Sequence, residues 1–246
     1  MLWVHLQRPE VLNSINEEMV DGLAAALDRA SAKDVRVMVI RGTGRAFCAG
    51  ADLVQVPGEE VDTSRMEQIV ERVAAVVGGI AKLPKPVIAG VNGITAAGGL
   101  EIVLACDLVV AVEGARIADA HSNYGLLPGA GGSARLPRAV GTPMAKRMML
   151  TGDFVTAEEL VASGFVTAVV PIDQLDECLE ELSTSLALRS PRVMTAMKHL
   201  ADGASDITLA EACDAEAVAL RAYLKTPDVH AGLAAFREGK RPEFED

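Results

Sequence analysis

One carboxylate in the chain lies where an unpaired charge would be costly. Glu101 follows a glycine-rich turn and has only apolar residues around it in sequence, namely Leu100, Ile102, Val103 and Leu104. A carboxylate in such company must be paired, neutralised or functional, because burial penalises its charged form. We therefore take Glu101 as a candidate acid or base. The alternative is an exposed or ion-paired residue on a helix surface.

A histidine next to a second glycine-rich segment is the other candidate for proton transfer. His121 precedes Gly125-Leu-Leu-Pro-Gly-Ala-Gly-Gly132, and Asp119 and Tyr124 are near enough in sequence to orient its ring. Histidine exchanges protons near neutral pH, although a lone histidine is usually structural. A serine-hydrolase triad is disfavoured because the sequence has no G-x-S-x-G. Cys48 could be a nucleophile partnered by His121, but a small core thiol is the more ordinary reading.

Two further segments could present backbone N–H groups to a ligand. Residues 41–52 are small residues after an apolar run, and residues 85–101 lead through a glycine-rich turn into a helix start. Small side chains expose the backbone, and a helix N-terminus offers unbonded N–H donors at the positive end of its dipole. The first segment could also be only a tight turn. A dinucleotide loop is disfavoured because Gly42-x-Gly44 lacks the third glycine of G-x-G-x-x-G.

Composition excludes several kinds of partner. The 246 residues include 34 acidic and 23 basic side chains, a net charge of −11, which argues against binding nucleic acid or an anionic membrane. The most apolar stretch, residues 100–112, is interrupted by Glu101 and Asp107 and is shorter than the roughly 20 residues that span a bilayer. We therefore expect no nucleic-acid partner and no membrane segment.

Cysteine and histidine spacing bears on metals and on compartment. The four cysteines are far apart and form no C-x-x-C pair: Cys48, Cys106, Cys178 and Cys213. The four histidines show no H-x-x-x-H spacing and have no cysteine close by. We expect no metal site, and we expect a reducing compartment, the cytoplasm.

The elements that position these residues alternate between strand and helix. Apolar runs predict strands at residues 2–6, 35–41, 86–91 and 108–112, the last three buried on both faces. Helical periodicity predicts helices at residues 14–30, 64–82, 98–106 and 133–150. Capping-box spacings occur at Ser14/Glu17, Ser64/Glu67, Thr156/Glu159 and Thr208/Glu211. This order predicts an α/β fold.

The end of the chain has a different character. After residue 170 the strand signals stop, and the rest is helical apart from breaks at Pro191, Gly203 and Pro227. The helix expected at residues 207–224 has more apolar face than a small appendage hides within itself, so we expect part of it to pack on a neighbouring subunit. The chain divides into a core, residues 1–172, and a helical oligomerisation region, residues 173–246.

Taken together and in this order, the segments resemble the enoyl-CoA hydratase/isomerase (crotonase) superfamily over nearly the whole chain. The motifs that carry the resemblance are Arg8-Pro-Glu-Val-Leu-Asn13, Phe47-Cys-Ala-Gly-Ala-Asp52, Lys85-Pro-Val-Ile, Gly98-Gly-Leu-Glu101, Ala105-Cys-Asp107, Gly125-Leu-Leu-Pro-Gly-Ala-Gly-Gly132, Arg135-Leu-Pro and Ala235-Phe-Arg-Glu-Gly-Lys-Arg-Pro-Glu-Phe244. The resemblance implies a spiral of ββα units followed by C-terminal helices for trimerisation, commonly with two trimers stacked as a hexamer.

The resemblance also implies a substrate and a site. The substrate is an acyl-CoA thioester, which carries its own coenzyme A, so no separate cofactor is expected. The thioester carbonyl lies in an oxyanion hole formed by the N–H groups of Ala51 and Gly98, because every reaction of this class forms an enolate. The residues implied to bind substrate or CoA are Glu10, Val11, Leu12, Ala49, Gly50, Asp52, Leu53 and Gly99.

The sequence departs from the hydratase pattern at a catalytic position. Hydratases of this superfamily hold one water between two glutamates; Glu101 matches the first, but His121 stands at the second. Three functions stay open: hydration or isomerisation of a 2-enoyl-CoA through both residues, hydrolysis of a C–C bond or thioester with His121 as base, or acyl-CoA binding without turnover. Imidazole, with an ordinary pKa near 6.5, can shuttle a proton at neutral pH.

Overall fold

Two β-sheets form the centre of the protein. The structure is a computed structural model that describes residues 1–52 and 63–244. The larger sheet contains β1 (Leu2–Leu6), β2 (Met38–Gly42), β4 (Val87–Val91), β6 (Leu108–Val112) and β9 (Ala168–Val170). The smaller sheet contains β3 (Ala46–Cys48), β5 (Ile94–Ala96), β7 (Arg116–Ala118) and β8 (Val155–Thr156). Within the described residues, the orders are β1-β2-β4-β6-β9 and β3-β5-β7-β8.

Strand direction explains why the larger sheet is so apolar. All its neighbours are parallel, whereas the smaller sheet has one antiparallel pair, β7 with β8. Parallel sheets are covered on both faces, and every residue of β4 is indeed buried. The strands predicted at residues 2–6 and 108–112 have those bounds, and β2 and β4 begin slightly later than predicted.

From β2 to β7, consecutive strands alternate between the two sheets, and a helix follows each pair of strands. The helices through the core are α1 (Glu17–Ser31), α2 (Thr63–Lys82), α3 (Gly98–Leu104), α4 (Gly132–Val140), α5 (Thr142–Thr151) and α6 (Ala157–Val161). The sequence β2-β3-α2 is thus followed by β4-β5-α3, which is the repeated ββα unit expected from the resemblance. The short strands of the smaller sheet were not predicted, because two or three residues are too few to show a periodicity.

The predicted helix starts were correct in part. Thr156 and Thr208 form capping boxes with Glu159 and Glu211. The box at Ser14 is wrong: the Ser14 hydroxyl donates to the Val11 carbonyl, and Asn16 caps α1 instead by accepting from the N–H of Met19 at 2.9 Å. The box at Ser64 is also wrong, because that residue lies inside α2.

The single helix predicted over residues 133–150 is wrong as well. It is divided into α4 and α5 by Gly141, whose φ of 79° is left-handed, and Pro143 lies in the first turn of α5. Left-handed backbone favours glycine, and proline suits a helix start, so both residues mark the boundary.

The C-terminal region is helical, as predicted. It contains α7 (Leu175–Ala187), α8 (Pro191–Ala204), α9 (Leu209–Tyr223) and α10 (Pro227–Glu238). Helix α7 packs on the larger sheet, and α8 is joined to the core by an ion pair between Lys198 and Asp107 at 2.8 Å. Helix α9 packs on α8 but has no buried residue. None of the helices in the described ranges has the length and hydropathy needed to cross a bilayer.

Candidate active site

Glu101 is a buried carboxylate that the backbone of a distant loop holds in place. It lies in the first turn of α3 and is only 4% exposed. Its Oε1 atom accepts hydrogen bonds from the N–H of Ala130 at 2.7 Å and from the N–H of Gly132 at 2.9 Å. Two donors compensate the charge that burial would otherwise penalise. The residue is thus neither exposed nor ion-paired, and its second oxygen has no hydrogen-bond partner among the described residues.

The loop that holds Glu101 has a shape that glycine permits. Gly131 has a φ of 98° and precedes α4, so the N–H groups on either side of it turn toward the same carboxylate. Arg135, one turn into α4, donates from Nη1 to the carbonyl of Ala130 at 2.8 Å. The loop is therefore held by Arg135 through the Ala130 carbonyl as well as by Glu101 through the two N–H groups. The sequence pointed to this loop but not to its role as the support of Glu101.

His121 begins a 3₁₀ turn, His121–Tyr124, that follows β7. Its Nδ1 lies 3.1 Å from Oδ1 of Asp119, and the imidazole and carboxylate are 11% and 3% exposed. Burial is the largest single influence and lowers the pKa of His121. The hydrogen bond and charge of Asp119, with the charge of Glu101, outweigh it, so the pKa is raised above 6.5. The charge of Glu101 thus acts on His121, although the two candidates are 20 positions apart in sequence.

The predicted oxyanion donors lie side by side. A Cβ placed on Gly98 would be 3.9 Å from the backbone nitrogen of Ala51. Within the described part of the chain, no backbone carbonyl accepts from the N–H of Ala51 or from that of Gly98. Ala97, just before α3, has an unusual φ of 49°, the kind of strain that is found at functional sites. Two unbonded donors in one place can stabilise an oxyanion.

Ile15 sets the spacing of these donors, a role that the sequence did not reveal. Its N–H donates to the Gly50 carbonyl at 2.8 Å, and its own carbonyl accepts from the N–H of Asp52 at 2.9 Å. The backbone is therefore clamped on both sides of Ala51. The Cδ1 atom of Ile15 also lies 3.0 Å from where a Cβ of Gly98 would be.

The loops implied to bind CoA lie against each other. The N–H of Ala49 donates to the Leu12 carbonyl at 3.0 Å, and the carboxylate of Asp52 pairs with Arg8 at 2.9 Å. Glu10 and Val11, in the 3₁₀ turn Pro9–Val11, are exposed, whereas Leu12 is partly buried. Asp52 thus joins the loops, and Glu10 and Val11 are reachable by a ligand. Leu53, also predicted here, lies outside the described residues.

Two other residues have structural roles. A Cβ on Gly99 would be 2.1 Å from the carbonyl oxygen of Cys48, so Gly99 permits the close contact of α3 with β3. Cys48 itself is fully buried, and burial raises the pKa of its thiol to about 12. A thiol that is neutral at pH 7 is a poor nucleophile. This agrees with the core-thiol interpretation of Cys48.

The fold and this arrangement of groups define a class of enzyme, and comparison with known proteins identifies it. A family model described as enoyl-CoA hydratase/isomerase matches residues 1–246. The chain is 34% identical to a putative enoyl-CoA hydratase/isomerase of Bacillus subtilis, over 99% of this chain and 94% of that protein. It is 35% identical to the 1,2-epoxyphenylacetyl-CoA isomerase of Escherichia coli, over 97% and 92%.

A solved structure agrees with the sequence comparisons. The crystal structure of an enoyl-CoA hydratase from Bacillus anthracis superimposes with a TM-score of 0.94 at 32% identity, covering 98% of this chain and 94% of that chain. The chain belongs to the enoyl-CoA hydratase/isomerase family and has the crotonase fold. It is an acyl-CoA-processing enzyme of that type.

Proposed function

We propose that this enzyme hydrates a 2-enoyl-CoA, with Glu101 and His121 as its proton-transfer pair. The observation that carries the proposal is that the charge of Glu101, a carboxylate held by two backbone N–H groups, helps to raise the pKa of His121. Two unbonded N–H donors lie near this pair. Addition of water across a conjugated double bond needs one group that takes a proton and one that gives a proton. The site offers one group of each kind.

The roles of the two residues follow from their environments. Glu101 is charge-compensated by two N–H groups and so acts as the base, taking a proton from water as the water oxygen bonds to C3. The electron pair of the C2=C3 bond moves toward the thioester, whose oxygen gains negative charge. The N–H groups of Ala51 and Gly98 stabilise that charge, each by about 2.7–4 kcal/mol.

His121 completes the reaction as the acid. Its raised pKa increases the share of His121 present as imidazolium, and the imidazolium gives a proton to C2 to form the 3-hydroxyacyl-CoA. Exchange with solvent then returns the Glu101 proton and reprotonates His121. The CoA portion would be held by the Glu10–Leu12 segment, where Glu10 and Val11 are exposed, and by the loop that begins at Ala49. Isomerisation would use the same pair to remove a proton at one carbon and return it at another.

The alternative chemistry is hydrolysis of a thioester or C–C bond with His121 as base. It needs a neutral imidazole, and the charges of Asp119 and Glu101 act against that form. Incubating the purified protein with a panel of acyl-CoA esters, followed by mass spectrometry, separates the possibilities. Gain of one water with the thioester intact is the expected result. Release of free CoA would support hydrolysis, and unchanged esters would indicate binding alone.

We also propose that the enzyme assembles as a homotrimer or a hexamer. The helices α9 and α10 leave large apolar side chains in solvent on the single chain, among them Leu209 at 81% and Phe236 at 84% exposure. Exposed apolar side chains on neighbouring helices are typical of subunit contacts.

The cysteines in the structure are all free thiols, which fits a reducing compartment such as the cytoplasm.

A further inference from the structure

Asp119 is a buried carboxylate to which the proposed chemistry assigns no role. It directly follows β7 and is 2% exposed. Ala120, the next residue, has a left-handed φ of 60°, which turns the chain sharply so that Asp119 and His121 face each other. A non-glycine residue in this conformation costs energy, and such strain persists where the surrounding structure requires it. The strained turn therefore indicates that the surrounding structure requires the contact between Asp119 and His121.

The pairing uses one specific nitrogen of the ring. Oδ1 of Asp119 lies 3.1 Å from Nδ1 of His121 and 3.4 Å from the backbone N of the same residue. Nδ1 therefore carries a hydrogen that it donates to Asp119. Within the described residues, no protein group bonds to Nε2, and that nitrogen is left for exchange with water or substrate.

The charges that face the ring come from two elements. Asp119 lies at the end of β7, and Glu101 lies on α3; both carry negative charge that favours the imidazolium. Helix α5 also packs on the 3₁₀ turn. The carbonyl of Gly152, the residue after α5, accepts a hydrogen bond from the side chain of Asn123. Arg147 of α5 is paired with Glu159. No other charged side chain in the described ranges is among the causes of the His121 pKa shift.

We infer that Asp119 is a positioning residue: it holds His121 with Nδ1 turned away from the substrate and Nε2 presented as the proton donor to C2. This inference rests on the proposed hydration and explains how a histidine can stand where hydratases of this family have a glutamate. The carboxylate of Asp119, in contact with Nδ1, favours the charged form of the ring. The raised pKa of His121 agrees with this arrangement.

The test measures His121 directly and does not depend on activity. Histidine ring resonances are followed by NMR as a function of pH in the wild type and in Asp119→Asn, with His121→Ala used to assign the His121 signal. We expect wild-type His121 to titrate above 6.5 with a hydrogen on Nδ1, and to titrate at lower pH in Asp119→Asn. Asp107→Asn removes a carboxylate from a different ion pair and should leave the His121 titration unchanged.

Kinetics give the second measurement. With a 2-enoyl-CoA substrate, kcat/KM should fall at high pH as His121 loses its proton, and the fall should begin at lower pH in Asp119→Asn. At pH 8 the loss should be about tenfold or more, in kcat rather than in KM, because the acid and not the binding is affected. Asp119→Glu, which keeps a carboxylate, should restore part of the activity.

The outcomes separate this inference from the proposed function. An active wild type whose His121 titration is unchanged in Asp119→Asn overturns the inference and leaves the hydratase function standing. A shifted titration in a protein that hydrates no 2-enoyl-CoA supports the pairing and overturns the function. If Asp119→Asn does not fold, the wild-type spectrum alone decides: titration below 6.5, or a hydrogen on Nε2 only, overturns the inference.

Discussion

Gly132 lies directly against the side chain of Glu101. A Cβ at Gly132 would be 3.2 Å from both Cγ and Oε1 of Glu101, and the N–H of Gly132 already donates to that oxygen at 2.9 Å. The same residue therefore supplies a hydrogen bond and the space for the carboxylate. A methyl group cannot be added here unless Glu101, or Pro128 with its Cβ at 3.1 Å, moves by a few tenths of an ångström.

Gly132→Ala should therefore lower activity more than stability. The added methyl group should push the carboxylate of Glu101 away from its position and reduce kcat/KM by roughly tenfold or more, since small misplacements of reacting groups are costly. Gly22→Ala is the control: its Cβ meets nothing within 4 Å, and the site is a helix interior. That variant should gain about 0.4–1 kcal/mol in free energy of unfolding at unchanged kcat/KM. Equal kcat/KM values for Gly132→Ala and Gly22→Ala would contradict the prediction.

Glu101→Gln should separate the chemical role of the residue from its structural one. The amide oxygen of glutamine can still accept from the N–H groups of Ala130 and Gly132, so the thermal unfolding midpoint should change little. Glutamine cannot take a proton, and hydration should fall by roughly 10²–10⁴-fold. Steady-state assays with a short 2-enoyl-CoA measure this. Wild-type rates in the variant would exclude Glu101 as the base.

The double variant tests whether Glu101 and His121 act together. His121→Ala should also lower hydration by roughly 10²–10⁴-fold, without a matching loss of CoA affinity. Combining it with Glu101→Gln should cost less than the product of the single losses, because residues that act as a unit are not additive. His121→Glu provides the reverse experiment. A large gain in hydration over a nearly inactive wild type would mean that His121 serves another reaction.

Two adjacent glycines should respond to substitution in opposite ways. At Gly98 the tightest contact of an added Cβ is with the end of the flexible Ile15 side chain, at 3.0 Å, so the fold should persist, while Gly98→Val should abolish turnover by filling the space of the oxyanion. At Gly99 the Cβ meets a backbone carbonyl at 2.1 Å, so Gly99→Ala should destabilise the protein by about 1–3 kcal/mol or more. Circular dichroism melts and kinetics distinguish them. Full kcat/KM in Gly98→Val would refute the oxyanion assignment.

His121 should make stability depend on pH in a predictable direction. Its pKa in the folded state lies above the ordinary value of 6.5, mainly through Asp119, in spite of the opposing effect of burial. The imidazolium thus stabilises the fold fully below 6.5, and this contribution is lost as pH rises through the higher folded-state pKa. The difference in melting temperature between wild type and His121→Gln should therefore shrink with increasing pH. A difference that grows with pH would show that the imidazole is preferentially neutral in the fold.

Assembly can be tested on the wild type without any ligand. Light scattering should give three or six times the chain mass of 25.8 kDa. Replacing both Leu209 and Phe236 by glutamate should lower that mass, since charges would face an apolar partner surface. Glu238→Gln, on the same helix as Phe236 but at an exposed polar position, is the matched control. A stable wild-type monomer would contradict the proposal.

The sequence indicated the repeated fold better than its local details. Long apolar runs such as residues 108–112 predicted the strands of the larger sheet, because burial on both faces leaves a strong pattern. The short strands of the smaller sheet show no such pattern. Periodicity also predicted one helix where Gly141 separates α4 from α5. At the site, Glu101 stood out as a carboxylate among apolar residues. Its partners are backbone N–H groups, which are common to almost every residue type, so side-chain identity could not reveal them.

The contacts of Ile15 show that two parts of the candidate active site are supported by different segments of the chain. The donors at Ala51 and Gly98 are spaced by hydrogen bonds and packing from Ile15, whereas the proton-transfer groups depend on residues 119–132. On the proposed mechanism, substitutions in the later segment would replace one proton carrier by another and leave the spacing of the Ala51 and Gly98 donors unchanged. On that mechanism, one scaffold that binds the ester could thus serve several reactions, each chosen by the residues of that segment.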